Sequence, residues 1–288
     1  MTYDEIKAWL LTKLHETDGS AAVLPASLGI AAFGPLCLDK TSPQYGCITT
    51  TPKLAWQNFP VYGLFKEDFN FAARDGIFID TDVNVCALFE YREAKLSQAV
   101  RESMCYVTVG TGVGIGLIIN NQCVHGMMHP EGGHVRVPLH KCDIDSDFKG
   151  VCPFHQSCLE GMVTNNAIKE RLGLSNVADV AGLPDEHEVW DVLAHYLGIL
   201  CTNIFLTTSV ERIILGGGIF KRAVLLAKTR HIFTQNINGY VKMPQIEGDA
   251  LESFIVRPTY GDSLGSLAAA VCAANTEGVK ATEYVLTE

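Results

Sequence analysis

Cations are scarce in this sequence. Lys and Arg together number 22 against 32 Asp and Glu, a formal net charge of −10, with a pI near 5.4. Nucleic acid and anionic membrane surfaces both require a surplus of cations, so neither is an expected partner. The basic start and unbroken apolar core of a secretory signal are also absent. The N-terminus, MTYDEIKAWLLTKLHETDG, puts acids in its first turn and sets Ile6, Trp9, Leu10 and Leu14 on one helical face. The longest apolar stretch, 196–210, is interrupted by Asn203 and several Thr and falls short of the roughly 20 residues of a membrane span. It reads as a buried helix, with the cytoplasm as the expected location. No internal repeat or low-complexity linker is visible. With 48% hydrophobic and 19% charged residues, the 288-residue chain can bury a full core in one large domain or two ordinary ones.

Cysteine is not lacking: there are 10. Without a secretory segment, disulfides are not the expected use. Cys37, Cys47, Cys86, Cys105, Cys201 and Cys272 lie among apolar or small residues and read as core packing.

Strands are expected at 24–35, at 76–84, twice within 102–126 around a Gly-rich turn, and at 211–220 entering a triple glycine. Helices are expected at 2–17, 83–98, 160–172, 186–208, 221–233 and 262–274. Alternation of this kind specifies a layered α/β protein.

The segment GVCPFHQSC (150–158) spaces Cys152, His155 and Cys158 three apart, and His134 precedes Cys152. Together they make a Cys2His2 set with the softness and ligand count of a closed structural zinc site. The intervening residues include Lys141, Asp143, Asp145, Ser146 and Asp147, too polar to hold a shape by burial. A metal clip would supply that order. His125, His129, His140 and Cys142 are close enough in sequence to compete for the fourth place. A nucleic-acid zinc knuckle would use similar spacing, but the acidic surroundings argue against it.

VTVGTGVGIG (107–116) follows a strand with glycine at 110, 112, 114 and 116, where backbone N–H groups and Thr111 could face a phosphate. By itself the pattern also fits a plain hairpin turn. LGGGIF (215–220) is a second loop, where a strand meets a helix N-terminus. IDTDVN (79–84) sets Asp80, Asp82 and Asn84 on one face at a strand's C-terminal end, where α/β sheets collect their chemistry. Capping of the next helix by Thr81 or Asp82 is an equally good account of that segment.

These segments in combination resemble the ROK family of sugar kinases, closest to its bacterial fructokinase branch. The resemblance runs from about Gly29 to the C-terminal end. It is carried by FGPLCLDKTSPQYGCITTTPKLAW (33–56), DTDVN (80–84), VTVGTGVGIG (107–116), HPEGGH (129–134), CPFHQSCLEG (152–161) and ILGGGIF (214–220). It implies a two-domain actin-like ATPase (ribonuclease H-like) α/β fold. Residues 1–84 would be what is left of the N-terminal domain, 85–261 the C-terminal domain with the zinc loop, and 262–288 a C-terminal helix packing back on the first domain.

The implied reaction is ATP-dependent phosphorylation of a hexose, most closely fructose to fructose 6-phosphate. Asp82 corresponds to the catalytic base. Glu131, His134 and Glu160 correspond to the sugar contacts, with His134 also a zinc ligand. Gly110, Thr111, Gly112, Thr164, Gly216, Gly217 and Gly218 correspond to the nucleotide loops. The implied cofactors are structural Zn2+, on His134, Cys152, His155 and Cys158, and Mg2+ with ATP. The implied partners are hexose, ATP and, by the family's habit, a second copy in a homodimer.

Two departures stand out. Family members open with a β-hairpin carrying D-x-G-G-T-K or E-A-G-G-T-K, and this sequence begins instead with the helix that ordinarily follows the first three strands. An N-terminal truncation is therefore expected, leaving residues 27–33 as an exposed apolar strand edge and the phosphates short of backbone donors. Thr164, Asn165 and Asn166 also replace the usual Ser-Gly-Pro. A non-catalytic sugar-binding relative is the alternative function. The family's repressor branch needs an N-terminal helix-turn-helix, and the single acidic helix here does not supply one.

Overall fold

The computed structural model describes residues 2–18, 27–69 and 76–275. In chain order the elements are α1 (Tyr3–Asp18), β1 (Leu28–Ala32), α2 (Val61–Asp68), β2 (Ile77–Thr81), α3 (Asp82–Leu96), β3 (Met104–Val109), β4 (Val113–Ile119), β5 (Gln122–Cys123), α4 (Lys141–Asp145), α5 (Leu159–Val163), α6 (Asn165–Leu172), α7 (Val189–Thr208), β6 (Ile213–Gly216), α8 (Ala223–Ile237), α9 (Leu251–Phe254), β7 (Ile255–Val256) and α10 (Leu264–Asn275).

Five strands make the larger sheet, in the order β5-β4-β3-β6-β7. β3 and β4 form an antiparallel hairpin, whereas β3, β6 and β7 run parallel. All but one residue of β3 (MCYVTV) is buried, as expected for a central strand covered on both faces. One face carries the largest core, in which α7 and α8 bring Trp190, Leu193, Leu197, Cys201 and Phe233 against Cys105, Val107 and Leu215. On the other face α3 and α10 pack Ala87, Phe89, Leu264, Ala268 and Cys272 against Met104, Tyr106, Ile118 and Ile214. β1 and β2 are a separate parallel pair, with a third cluster of Leu36, Ile48, Val61, Phe65 and Ile79 beneath them. Among the described residues β1 pairs with β2 alone.

The close seating of α3 has a sequence cause. A Cβ built on Gly116 would lie 2.3 Å from the Val83 carbonyl oxygen and 2.8 Å from the Ala87 Cβ. Only glycine lets the helix backbone touch the sheet here. The last glycines of VTVGTGVGIG are thus packing residues within β4, and only Gly110 and Gly112 belong to the turn before it.

Several expectations are corrected. The strand at 76–84 stops at Thr81, because α3 begins at Asp82 with the Thr81 hydroxyl accepting the Asn84 N–H (3.1 Å). Asp80, Asp82 and Asn84 therefore do not share a strand face. The helix at 160–172 is two helices, broken at Thr164, whose ψ of 163° is extended. Its buried hydroxyl accepts the Ala167 N–H (3.4 Å) and caps α6. The apolar run at 196–210 lies in α7, which at 20 residues is long and apolar enough to cross a membrane. However, 72% of its most apolar window is buried inside the fold, as a core helix requires. Cys37 and Cys47 are only half-buried, while Cys86, Cys105, Cys201 and Cys272 are core residues as expected. The Gly19–Ser27 link and residues 276–288 fall mostly or wholly outside the described residues, and so does the end of the expected C-terminal segment.

Gly116→Ala is expected to destabilise the fold by about 1–3 kcal/mol, since the clash is with backbone rather than a flexible side chain. Gly182→Ala, whose new methyl would meet nothing within 4 Å, is expected to change stability by less than about 0.5 kcal/mol. Chemical denaturation of the two variants checks this, and equal midpoints would refute the packing role.

Candidate active site

β4 gathers the site. Just ahead of His134, Gly133 lies so close to the strand that a Cβ there would sit 2.0 Å from the Val113 carbonyl oxygen. The HPEGGH segment is thereby laid flat on β4, with Glu131 and His134 on either side of the contact. Val113 N–H also donates to Glu160 Oε2 (3.0 Å). The Glu160 carboxylate is therefore held by the end of the glycine turn, although its helix, α5, comes from the far side of the cysteine loop.

His134 stands between two groups of residues. Its Nδ1 is 3.8 Å from Cys152 Sγ and 3.5 Å from Cys158 Sγ, and Cys152 Sγ is 3.7 Å from His155 Nδ1. All four ligand atoms lie within 4.8 Å of one another. Tetrahedral zinc, with Zn–S near 2.3 Å and Zn–N near 2.0 Å, requires S···N separations of about 3.5 Å. The donor set and its spacing fit that ion. His134 takes the fourth place for which His125, His129, His140 and Cys142 were competitors. Burial pushes the Cys158 thiol up to about 11 in the metal-free protein, so binding a cation there must expel a proton.

On its other side, His134 Nε2 is 4.0 Å from both Glu131 Oε2 and Glu160 Oε1. Those gaps exceed a direct hydrogen bond and leave room for a hydroxyl between each pair. Burial raises the Glu131 carboxyl above the usual range. Nearby His129 and His134 oppose the rise, while Glu160 and Asp82 add to it.

Asp82, at the first turn of α3, is open to solvent and accepts the Val83 N–H (2.9 Å). Protein walls around it remove part of its hydration and raise its carboxyl above the ordinary aspartate value. The Val83 N–H and the Lys53 charge counter that rise. Asp80 is buried and serves a different purpose. Its Oδ1 accepts from Thr81 N–H (2.7 Å) and Asn84 Nδ2 (2.8 Å), and its Oδ2 accepts from His125 Nε2 (3.0 Å). Its carboxylate raises the His125 pKa. This network pins the junction of β2 and α3 that presents Asp82.

The two glycine loops meet. A Cβ on Gly110 would be 3.9 Å from the Gly218 N, and Gly110 O accepts the Asn165 N–H (3.1 Å). Gly216 closes β6, and Gly217 follows with a φ of 88°. Thr111 is exposed at the turn, whereas Thr164 is buried with its hydroxyl committed to capping.

Sequence reasoning offered His129 only as a competing metal ligand, and the structure gives it a different role. It is buried, and its Nε2 accepts the Leu36 N–H (2.9 Å). Its Nδ1 therefore carries the proton, 3.6 Å from Glu131 Oε1. It joins the turn after β1 to the Glu131 carboxylate. No spacing rule distinguishes such a histidine, because its partner is a backbone N–H 93 residues away.

The ROK family matches residues 2–275. A fructokinase of Zymomonas mobilis is 40% identical over 245 residues, covering 85% of this chain and 76% of the relative. A Streptococcus mutans fructokinase is 33% identical, covering 85% and 79%. The crystal structure of a ROK family glucokinase from Streptomyces griseus, in complex with glucose and AMPPNP, superposes with a TM-score of 0.66 at 20% identity, covering 95% of this chain and 89% of that one. The chain belongs to the ROK family. It is a sugar kinase with the actin-like ATPase fold of that family.

The cluster of His134, Cys152, His155 and Cys158 is expected to take one tetrahedral ion per chain. Cobalt(II) added to metal-stripped protein should give thiolate-to-metal absorption and tetrahedral visible bands, and Cys152→Ser should abolish both. Bands of undiminished intensity in Cys152→Ser would exclude this ligand set.

Proposed function

We propose that this chain transfers the γ-phosphoryl group of Mg2+-ATP to a hexose, with fructose as the substrate and fructose 6-phosphate as the product. The observation that carries the reading is the convergence of Glu131, His134 and Glu160 on one space, with Asp82 close enough for its charge to act on Glu131. The choice of fructose follows the two relatives above, both of them fructokinases. ATP as donor places the reaction in the cytoplasm.

Phosphoryl transfer asks a protein chiefly for positioning and charge stabilisation. Glu131 and Glu160 accept hydrogen bonds from sugar hydroxyls and fix the ring. Asp82 accepts the proton of the attacking hydroxyl as the new O–P bond forms, and the O–P bond to ADP breaks. Gly110, Thr111 and Gly112 face the ATP phosphates, and Gly216, Gly217 and Gly218 support the nucleoside. Zinc would be held by His134, Cys152, His155 and Cys158 and would act structurally. With Nδ1 so engaged, the His134 Nε2–H would be left to donate a hydrogen bond toward the sugar. Thr164 lies beside the first glycine loop, since its neighbour Asn165 donates its N–H to Gly110 O, and its own hydroxyl is used in the fold.

Asp82→Asn is expected to lower kcat about 10²- to 10⁴-fold in a coupled ADP-release assay with ATP, Mg2+ and fructose; near-normal turnover would remove Asp82 as the base. Activity requires the ionised carboxylate, and the Asp82 pKa is raised. The acid limb of kcat/KM should therefore fall at higher pH than an unperturbed aspartate would give. Glu160→Ala is expected to weaken fructose binding by calorimetry without ATP, and an unchanged affinity would take Glu160 out of the sugar site.

A further inference from the structure

Lys53 occupies the loop between β1 and α2. Its backbone is anchored by Thr51, which is buried, with the hydroxyl accepting the Lys53 N–H (3.3 Å) and the carbonyl accepting from Gln57 Nε2 (2.9 Å). Its side chain is exposed, and the ammonium sits 3.5 Å above the centroid of the Phe33 ring. Phe33 packs edge-on against Trp56 at 5.7 Å, which fixes the ring.

The register of β1 and β2 places this cation. Ala32 pairs with Thr81, so the next residues, Phe33 and Asp82, leave the sheet side by side at its C-terminal edge. An ammonium held over Phe33 consequently stands beside Asp82. Among the described residues no carboxylate comes within ion-pair distance of it.

The chemistry of the cleft asks for such a group. Asp82, Glu131 and Glu160, when ionised, can only accept hydrogen bonds. Each sugar hydroxyl that donates to one of them retains lone pairs that need donors. An ammonium offers three donors and no acceptor, and its attraction to the Phe33 face uses none of them. We propose that Lys53 is a substrate-contacting residue, donating to hydroxyl oxygens of the bound hexose beside Asp82. This rests on the hexose-kinase reading above and assigns that site a cation.

The electrostatics point the same way. After burial and the Val83 N–H, Lys53 is the strongest influence on the Asp82 carboxyl, and it pulls the pKa down. The other titratable groups facing Asp82 are His129, which also lowers it, and Glu131, Cys86 and Tyr106, which are acids.

The test compares Lys53→Met and Lys53→Arg with the wild-type chain. Fructose affinity is measured by calorimetry without ATP, and kcat/KM as a function of pH. Lys53→Met is expected to bind fructose about ten- to a hundredfold more weakly, as loss of a charge-assisted hydrogen bond predicts. Its acid limb should move to higher pH. Lys53→Arg should restore the position of the limb, because the charge returns, while leaving affinity reduced, because a planar fork replaces a compact ammonium. Wild-type affinity in Lys53→Met would overturn the sugar contact, and an unmoved acid limb would overturn the action on Asp82. If the wild-type chain binds fructose without turning it over, the kinase reading fails, and the calorimetry still decides the sugar contact of Lys53.

Discussion

A single residue at the start of β4, Val113, ties the site to the scaffold through the two peptide groups on either side of its Cα. The Val113 N–H is committed to the Glu160 carboxylate, and the Val113 carbonyl is covered by the Gly133 backbone. The first contact delivers a side chain from beyond the cysteine loop. The second lays the HPEGGH segment against the strand. A few residues further along, the same strand accepts α3, whose first residue is Asp82. Three segments far apart in sequence are thus referred to one rigid element, which phosphoryl transfer requires, since misplacement of about an ångström costs rate steeply. The cysteine loop has little apolar content and leads directly into α5, whose Glu160 accepts the Val113 N–H.

Much of this was legible in the sequence because it depends on local pattern. The hydrophobic runs marked β3, β4 and β6, and the three-residue spacing of Cys152, His155 and Cys158 marked the Cys/His cluster without any knowledge of the fold. The linkage of His134 to that cluster could be anticipated, but only as one of several candidates. What remained illegible was contact between distant segments. β7 is two residues long and exists only because β6 offers it an edge. α2 lies between segments whose pairing no periodicity records. The glycines of VTVGTGVGIG carried a mixed message: those at the turn belong to the site, whereas Gly116 answers to a helix that precedes it by some thirty positions.

The histidines of the loop after β5 illustrate the same limit. His125 reaches Asp80 and His129 reaches the Leu36 N–H, so one short loop from the larger sheet holds both the strand end that presents Asp82 and the turn that follows β1. Charge at this site is consequently a property of the assembled layers. Asp82 and Glu131 are both raised by loss of hydration; Asp82 is moderated by Lys53 and His129 from other segments, and Glu131 by the imidazoles of His129 and His134 on either side of it. A reading by composition sees an acidic protein with few cations, yet one of them, Lys53, acts on the Asp82 carboxylate.

The packing of α10, the last described helix, bears on the order of assembly. α10 covers β1 so tightly that a Cβ on Gly29 would lie 1.9 Å from the Ala269 carbonyl oxygen. A strand is thus completed by a helix about 240 positions further along the chain. Closing a loop of that length carries a large entropic cost and slows the search for native contacts. During synthesis the β1–β2 pair must wait, one apolar face uncovered, while the five-strand sheet and its helices form. That interval is when the chain is most open to wrong partners and to chaperones.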